Sequence, residues 1–217
     1  MNRYKKGVNT CNYIVEEAKK IFYEKGYCKT TIQEICDNTN ITLGNFTYYF
    51  KTKQDLLRRI YVDYIKDVES FVMENTDDYP DPFDKYLIVG FVYNYRIFAD
   101  EKISNFNKEI IEYGNLFNDI FLKIPVEDVH FAYGNITKNV SKEELYLLYL
   151  SDLGIRKELT LFYVNNRALF NSPFDFSAEM AKVVSRIYSA DDERIREKFI
   201  ENEILIERIK KCEISLL

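Results

Sequence analysis

The sequence feature that most constrains the fold is the scarcity of residues that break helices. The 217-residue chain contains seven glycines and four prolines, and its apolar residues recur every three or four positions. That spacing is typical of amphipathic helices, whereas strands alternate at every second position. The sequence therefore predicts an all-α protein. With 47% hydrophobic residues, the chain can bury a sizeable core without disulfides or metals.

Local signals mark the first two helices. A first helix is predicted from about Thr10 to Lys25, with Gly26 as its left-handed cap. Thr31 is a natural N-cap for a short second helix. Asn40 tolerates the left-handed region and is expected in the tight turn that follows.

Two further helices complete this part of the chain. Thr42 is expected to cap a third short helix that runs through Phe50, and a long fourth helix begins near Lys53. One seam of the fourth helix is apolar and consists of Leu57, Tyr61, Tyr64, Val68 and Phe71. The acidic segment 75–83 contains two prolines and is predicted to separate the two parts of the chain.

Beyond that break, periodicity predicts five more helices, at roughly 84–98, 104–122, 142–166, 177–189 and 192–212. Pro125, residues 134–138 and residues 165–173 are expected to interrupt them. Residues 145–150 are apolar on every side, which predicts burial on more than one side of that helix.

Charge is distributed unevenly along the chain. The net charge is −5, which alone argues against a protein that binds nucleic acid. Through Lys66, however, there are twelve basic and seven acidic residues, and the remainder holds eighteen basic and twenty-eight acidic ones. This asymmetry predicts a basic module joined to an acidic one; ordinary fluctuation in composition is the alternative.

Two short helices joined by a tight turn, close to a basic amino terminus, are typical of a helix-turn-helix motif. The second of them would lie in the major groove of DNA. Gly44 costs about 1 kcal/mol relative to alanine inside a helix. A close approach to DNA would explain this glycine, although a bend or a packing contact would explain it too.

Residues 10–60 resemble the N-terminal domain of the tetracycline-repressor (TetR) family of transcriptional regulators. The resemblance is carried by the runs AKKIFYEKGYCKTTIQEIC and ITLGNFTYYFKTKQDLL. It implies a helix-turn-helix DNA-binding domain at 1–52, a connecting helix at 53–75, and a larger helical regulatory and dimerisation domain at 76–217. It also implies a homodimeric repressor that a small molecule releases from a palindromic operator by moving the fourth helix.

The resemblance also assigns DNA contacts to individual residues. It implies that Thr31 and Lys53 contact phosphates and that Gln33 faces DNA. On the recognition helix it assigns Thr42, Gly44, Asn45, Thr47, Tyr48 and Tyr49. The chain departs from the family pattern at 39–41, where Ala-Gly-Val is common, and at Thr47, where tyrosine is common, so the base preferences stay open. Each residue could alternatively be a solvated side chain on a short helix.

The second part of the chain is rich in aromatic residues, since 23 of the 34 tyrosines and phenylalanines follow Lys66. An apolar cavity with tyrosine hydroxyls suits a small apolar or aromatic inducer. The predicted pocket consists of Phe91, Tyr95, Phe98, Tyr113, Phe117, Phe121, His130 and Tyr149. The alternative is that these aromatic residues form core. Helices in 177–212 are predicted to form the dimer interface.

Catalytic and metal-binding motifs are scarce. None of the glycines belongs to a nucleophile-elbow or phosphate-binding motif. Glu127 and His130 have the spacing of a helical di-iron site, but such sites need two pairs and the chain has one histidine. We expect no metal, no cofactor, and reduced cysteines.

Three classes of function stay open at this point. The first is a DNA-binding regulator with an inducer, and the second is a DNA-bound factor that contacts other proteins without a ligand. The third, a small helical enzyme, lacks a catalytic constellation. No run of eighteen apolar residues and no signal peptide is apparent, so we expect a cytoplasmic protein without a membrane span.

Overall fold

In the computed structural model, residues 2–77, 79, 81–113, 116–121, 140–188 and 203–217 are described, and their regular elements are all helical. Side chains are described from Gly7 onward, except at 119 and 121. The helices are α1 (Asn2–Lys25), α2 (Ile32–Thr39), α3 (Leu43–Tyr49), α4 (Lys53–Asn75), α5 (Pro82–Ala99), α6 (Glu101–Glu112), α7 (Leu116–Phe121), α8 (Lys142–Asn165), α9 (Pro173–Ile187) and α10 (Glu203–Lys210). A short 3₁₀ turn, Arg167–Leu169, lies between α8 and α9.

The predicted signals at the ends of α1 and α2 are confirmed. Gly26 has a φ of 81° and ends α1, which begins earlier than expected, at Asn2. The hydroxyl of Thr31 accepts a hydrogen bond from the amide of Glu34 at 3.1 Å and caps α2. Asn40 adopts a φ of 53°, the left-handed conformation that its short polar side chain tolerates.

Caps also define α3 and α4. Thr42 accepts a hydrogen bond from the amide of Asn45 at 3.2 Å, and Thr52 forms a reciprocal capping box with Asp55. Four members of the predicted α4 seam are buried. The fifth, Phe71, is only partly buried, and the neighbouring Val72 takes its place in the core.

Two predicted helix boundaries in the second part of the chain are wrong. The segment expected at 104–122 forms two helices, because Asp100 caps a helix that already begins at Glu101 and Tyr113 leaves the helical conformation. The helix expected from 177 begins at Pro173, because Ser172 is its N-cap and proline is well suited to the first helical position.

The prediction that residues 145–150 are buried on more than one side is also wrong. Leu145 and Tyr149 are buried, but Tyr146 and Leu147 are exposed, the latter by 62%. Among the described residues, this stretch of helix α8 therefore packs through one side. The packing of the described residues does not explain why the other side of this stretch is apolar.

The helices share one continuous hydrophobic core that includes residues from Ile14 to Leu216. Helix α5 packs chiefly against α9 and also against α4, and α6 lies between α1 and α8. No helix in the described part of the chain is long and apolar enough to cross a membrane. The position of α6 brings the second part of the chain into direct contact with the helix-turn-helix.

Candidate nucleic-acid interface

Helix α3 buries one side and exposes the other, which is mainly polar. Phe46 is fully buried, and its ring lies 5.9 Å from that of Phe50. The buried side of the helix therefore anchors it to the core. The residues exposed on the other side are Thr42, Leu43, Gly44, Asn45, Thr47 and Tyr48. A short helix with one anchored side and one open polar side is what insertion into a major groove requires.

Tyr48 is the most prominent side chain of this surface. It is 81% exposed, and its ring meets that of Tyr49 edge to face at 5.0 Å. Tyr49 is partly buried, so it supports Tyr48 from behind. The arrangement holds a large aromatic ring in solvent where it can contact a partner.

The surroundings of Gly44 would accommodate a side chain. A Cβ atom at this position would meet only the hydroxyl of Thr42, at 3.9 Å, which is ordinary contact. Intramolecular packing therefore does not require a glycine here. The missing side chain leaves the helix backbone open on the exposed side, as a close approach to DNA would need.

Thr31 and Gln33 lie at the start of α2 and are exposed. The hydroxyl of Thr31 caps the helix and its own hydrogen remains available to a phosphate. The Gln33 amide donates to Asp37 Oδ1 at 2.7 Å. Both side chains thus have local structural roles, and their DNA contacts stay predictions.

The ammonium group of Lys53 is engaged within the chain, unlike that of a lysine that is free to contact a phosphate. Its ammonium donates to the carbonyls of Tyr27 and Thr30 at 2.8 and 2.6 Å and lies 4.1 Å from the centre of the Tyr27 ring. Burial lowers the pKa of Lys53, against the opposing influence of Cys28 and Glu109. Its main visible role is to hold the turn before α2.

Two exposed lysines that were not predicted as DNA contacts flank this surface. Lys29 lies in the turn before Thr31, and Lys51 follows Phe50, the C-cap of α3. Their positive charge and proximity to the capped helix starts suit phosphate contacts. The signal was present in the sequence, because both lysines lie two positions from residues that the family pattern assigns.

The predicted pocket residues on α5 lie in packed aromatic clusters. The ring of Phe91 lies 4.9 Å from that of Phe174 and 6.4 Å from that of Tyr95. Phe98 is packed between Tyr163 and Phe176, at 4.7 and 5.4 Å. The alternative interpretation, that these rings are core, accounts for Phe91 and Phe98.

The other predicted pocket residues are spread more widely. Tyr113 is exposed and meets Tyr27 of the helix-turn-helix domain at 6.1 Å. Phe117 is partly buried against the core, and Tyr149 is buried on α8. The side chain of Phe121 and the whole of His130 lie outside the described residues.

A buried polar cluster in the second part of the chain was not predicted. Asp152 is fully buried and forms an ion pair with Arg156 at 2.5 Å. Its carboxylate also accepts hydrogen bonds from the hydroxyls of Tyr86 and, at 3.3 Å, Tyr188. Burial and the charge of Asp152 raise the pKa of Tyr149 well above its ordinary value. We call Tyr86, Asp152, Arg156 and Tyr188 the polar cluster.

Gly90 makes room for this cluster. A Cβ atom there would lie 2.4 Å from an Nη atom of Arg156, so a larger residue would displace the guanidinium. The one sequence signal was the i, i+4 spacing of Asp152 and Arg156 inside an apolar helix. The hydroxyls of Tyr86 and Tyr188 reach Asp152 only through the packing of α5 and α9 against α8, which no local sequence pattern reveals.

Two surface clefts are formed by described residues. One, of about 480 Å³, lies between α1 and the segment that contains Ser215 and Leu217. The other, of about 260 Å³, lies along α6 and includes Glu109 and Tyr113. Within the described ranges, no three histidine, cysteine, aspartate or glutamate side chains come together as metal ligands.

Sequence comparisons identify the helix-turn-helix region. Residues 14–60 match the family described as "Bacterial regulatory proteins, tetR family". The transposon Tn10 TetC protein of Escherichia coli is 32% identical over 69 residues, which is 32% of this chain and 35% of TetC. YttP of Bacillus subtilis (strain 168), named as a probable HTH-type transcriptional regulator, is 31% identical over 67 residues, or 29% of this chain and 32% of YttP. The matched segments span about a third of these relatives' length.

Structural comparisons cover the second part of the chain as well. RolR in complex with resorcinol superposes with a TM-score of 0.61 over 98% of this chain and 100% of RolR, at 18% identity. FadR from Bacillus subtilis in complex with stearoyl-CoA gives 0.52 over 82% and 98%, at 17% identity. At such identities the likeness is one of fold. The family match is therefore confined to the helix-turn-helix region, residues 14–60, and the fold of the chain as a whole resembles those of RolR and FadR.

Proposed function

We propose that the chain is a homodimeric repressor that binds a palindromic DNA operator and is released from it by a small-molecule inducer. The observation that carries the DNA-binding part is the open polar side of α3, anchored from behind by Phe46. Thr42, Asn45 and Tyr48 on that side present groups that read base edges by hydrogen bonds and apolar contact.

Phosphate contacts would fix the register of this helix on DNA. We assign them to Thr31 and to the exposed Lys29 and Lys51. Lys53 supports binding indirectly, because its ammonium already bonds to two carbonyls of the turn before α2. Contacts of this kind make affinity fall steeply as salt rises, and they carry no sequence information.

A second copy of the chain would supply the second recognition helix. Helix-turn-helix proteins read half-sites about 34–36 Å apart through such symmetry. The described apolar side of α9 is largely used within the chain, whereas α8 exposes Leu147 and Phe162, at positions that share one side of the helix. We therefore place α8 in the dimer interface, beside the segment 177–212 predicted from the sequence.

The interface assignment can be tested by sedimentation. Leu147→Glu would put a charge on the exposed side of α8 and is expected to shift the protein from dimer to monomer. Met73→Glu is a matched control, because Met73 is an exposed apolar residue on α4. A Leu147→Glu protein that stays as dimeric as the control would remove α8 from the interface.

The inducer-binding part of the proposal is supported by the polar cluster. A buried carboxylate paired with a partly exposed guanidinium, in contact with tyrosine hydroxyls, suits the polar end of a small apolar or aromatic molecule. RolR and FadR, which share the fold, were solved with resorcinol and stearoyl-CoA. We propose that this chain also takes a small molecule in its second domain, with Arg156 and Asp152 near the ligand.

Selection of bound duplexes from a random pool, at near-physiological salt and with the oligomeric state measured alongside, tests the proposed function. We expect a palindromic consensus bound by a dimer. If folded protein enriches no sequence, the repressor proposal is wrong, and the second domain becomes the place to look for a function. An enriched duplex then serves as the probe for an inducer screen.

A further inference from the structure

The turn between α1 and α2 is held by a residue from the second domain. The carboxylate of Glu109, on α6, accepts hydrogen bonds from the consecutive backbone amides of Tyr27 and Cys28, at 2.8 and 2.7 Å. Glu109 lies more than eighty residues away in sequence. A bidentate contact of this kind fixes both the position and the orientation of the turn.

The neighbouring residues are adapted to this contact. Gly26 precedes the two amides in a left-handed conformation, and a Cβ atom there would lie 2.6 Å from Glu109 Oε2. Burial, followed by the hydrogen bond to Glu109, raises the pKa of the Cys28 thiol to about 11. A neutral thiol avoids placing a second negative charge beside the carboxylate.

Lys53 binds the carbonyl groups of the same turn. While Glu109 binds the amides of the turn, the Lys53 ammonium binds the carbonyls of Tyr27 and Thr30. The turn is therefore bound both by an anion from α6 and by a cation from α4. It leads directly into Thr31, the cap of α2 and a proposed phosphate contact.

Other contacts hold α6 against α1 and α4 without Glu109. The rings of Phe22 and Phe106 lie 5.7 Å apart, and the buried hydroxyl of Tyr61 donates to Asn107 Oδ1 at 2.8 Å. Loss of the Glu109 carboxylate would thus release the turn while α6 stays docked. A substitution of Glu109 therefore tests the effect of its carboxylate on the turn without undocking α6.

We propose that Glu109 is a positioning residue for DNA binding, which holds the turn 26–30 and hence the start of α2 in the orientation that DNA requires. The inference rests on the proposed DNA-binding function. It implies that a displacement of α6 reaches the helix-turn-helix through the backbone amides of this turn as well as through α4. The DNA affinity of the first domain then depends on a side chain that lies far from DNA.

Glu109→Ala tests the proposal, with Glu112→Ala as the matched control. Glu112 is an exposed carboxylate on the same helix and is paired with Lys108 at 3.8 Å. The measurements are affinity for the duplex that wild-type protein selects and amide exchange at residues 27 and 28. For Glu109→Ala we expect faster exchange at both amides and about tenfold weaker binding, within the usual range of coupling between sites. Glu112→Ala is expected to behave as wild type.

Glu109→Gln provides a second variant that keeps the size of the side chain and one acceptor oxygen. We expect an affinity between those of wild type and Glu109→Ala, and this variant decides the question if the alanine protein does not fold. Wild-type affinity in folded protein whose turn amides exchange faster would reduce Glu109 to a structural role and overturn the proposal. If wild-type protein itself selects no duplex, the proposed function fails and the inference fails with it.

Discussion

The two parts of the molecule differ in where most of their notable polar side chains lie, although Thr30 and Thr39 are buried in the first part. In the helix-turn-helix domain, Thr42, Asn45 and Thr47 are exposed, and the polar groups that cap its helices satisfy neighbours three residues away. In the second part of the chain, polar side chains are buried among several helices, and these include Asp84, Asn94, Asp152, Thr160, Ser177 and Ser185.

This difference distinguishes side chains that are available to a binding partner from side chains that stabilise the fold. An exposed polar side chain can be replaced at little cost to folding, so its chemistry is available to a partner. A buried ionised group instead depends on the partners that surround it, and removing one partner destabilises the fold. Substitutions of the exposed side chains that do not cap a helix should therefore alter DNA binding with little effect on folding, whereas substitutions within the polar cluster should chiefly alter folding.

The largest expected effect is that of Asp152→Ala. This change leaves the Arg156 guanidinium without its buried partner, and it removes the acceptor of two tyrosine hydroxyls. We expect the free energy of unfolding to fall by about 3–5 kcal/mol, measured by urea denaturation. Glu158→Ala, an exposed carboxylate on the same helix, should change it by less than about 0.5 kcal/mol. Similar changes in both variants would contradict the role of the polar cluster.

Alkaline pH is expected to weaken the fold through its buried tyrosines. Burial raises the pKa of Tyr61, Tyr64 and Tyr93 above the ordinary value of 10.0. Their contribution is therefore fully present below about pH 10 and is lost as pH rises, because the unfolded chain ionises first. Each should lower the free energy of unfolding by about 1.4 kcal/mol per pH unit above pH 10. Denaturation curves at pH 9, 10 and 11 measure the slope, and a flat profile would contradict it.

Smaller effects are expected from the caps of the first domain. Thr42→Ala removes the hydroxyl that binds the Asn45 amide and should cost about 1 kcal/mol of unfolding free energy. Thr47→Ala changes an exposed hydroxyl that bonds within the same helix, to the Gly44 carbonyl, and serves as the comparison. Equal unfolding free energies for the two variants would argue against the cap.

The smallest effect on stability is expected at Lys51. Lys51→Ala should leave the unfolding free energy within about 0.5 kcal/mol of wild type, yet lower the slope of log affinity against log salt by about 1. Lys53→Ala should lower stability as well, because the turn loses two hydrogen bonds. Identical behaviour of the two variants in both measurements would contradict the distinction between these lysines.

The first domain could be predicted closely because its signals are local. Gly26, Thr31, Asn40 and Thr42 each determine a cap or turn within a few residues of themselves. The sequence of α3 likewise predicts which residues are anchored and which are open. What local patterns could not provide is the role of Glu109, since its partners lie more than eighty residues away.

The second domain was predicted only in outline, for the same physical reason. The polar cluster forms only where α5, α8 and α9 pack together, and the residue spacing within one helix does not predict that packing. Phe91 and Phe98 were predicted to face a pocket, whereas their rings pack against α8 and α9. An aromatic stripe identifies the buried side of a helix but does not distinguish a packed core from a cavity.

Base preference at Asn45 tests the central claim, that the open side of α3 reads DNA sequence, most directly. The affinities of wild-type and Asn45→Ala protein would be measured for the selected duplex and for each of its single-base-pair variants. We predict that wild-type protein discriminates by about 1–3 kcal/mol at one position of each half-site and that Asn45→Ala loses this preference there alone. The same preferences in both proteins, at every position, would contradict the claim.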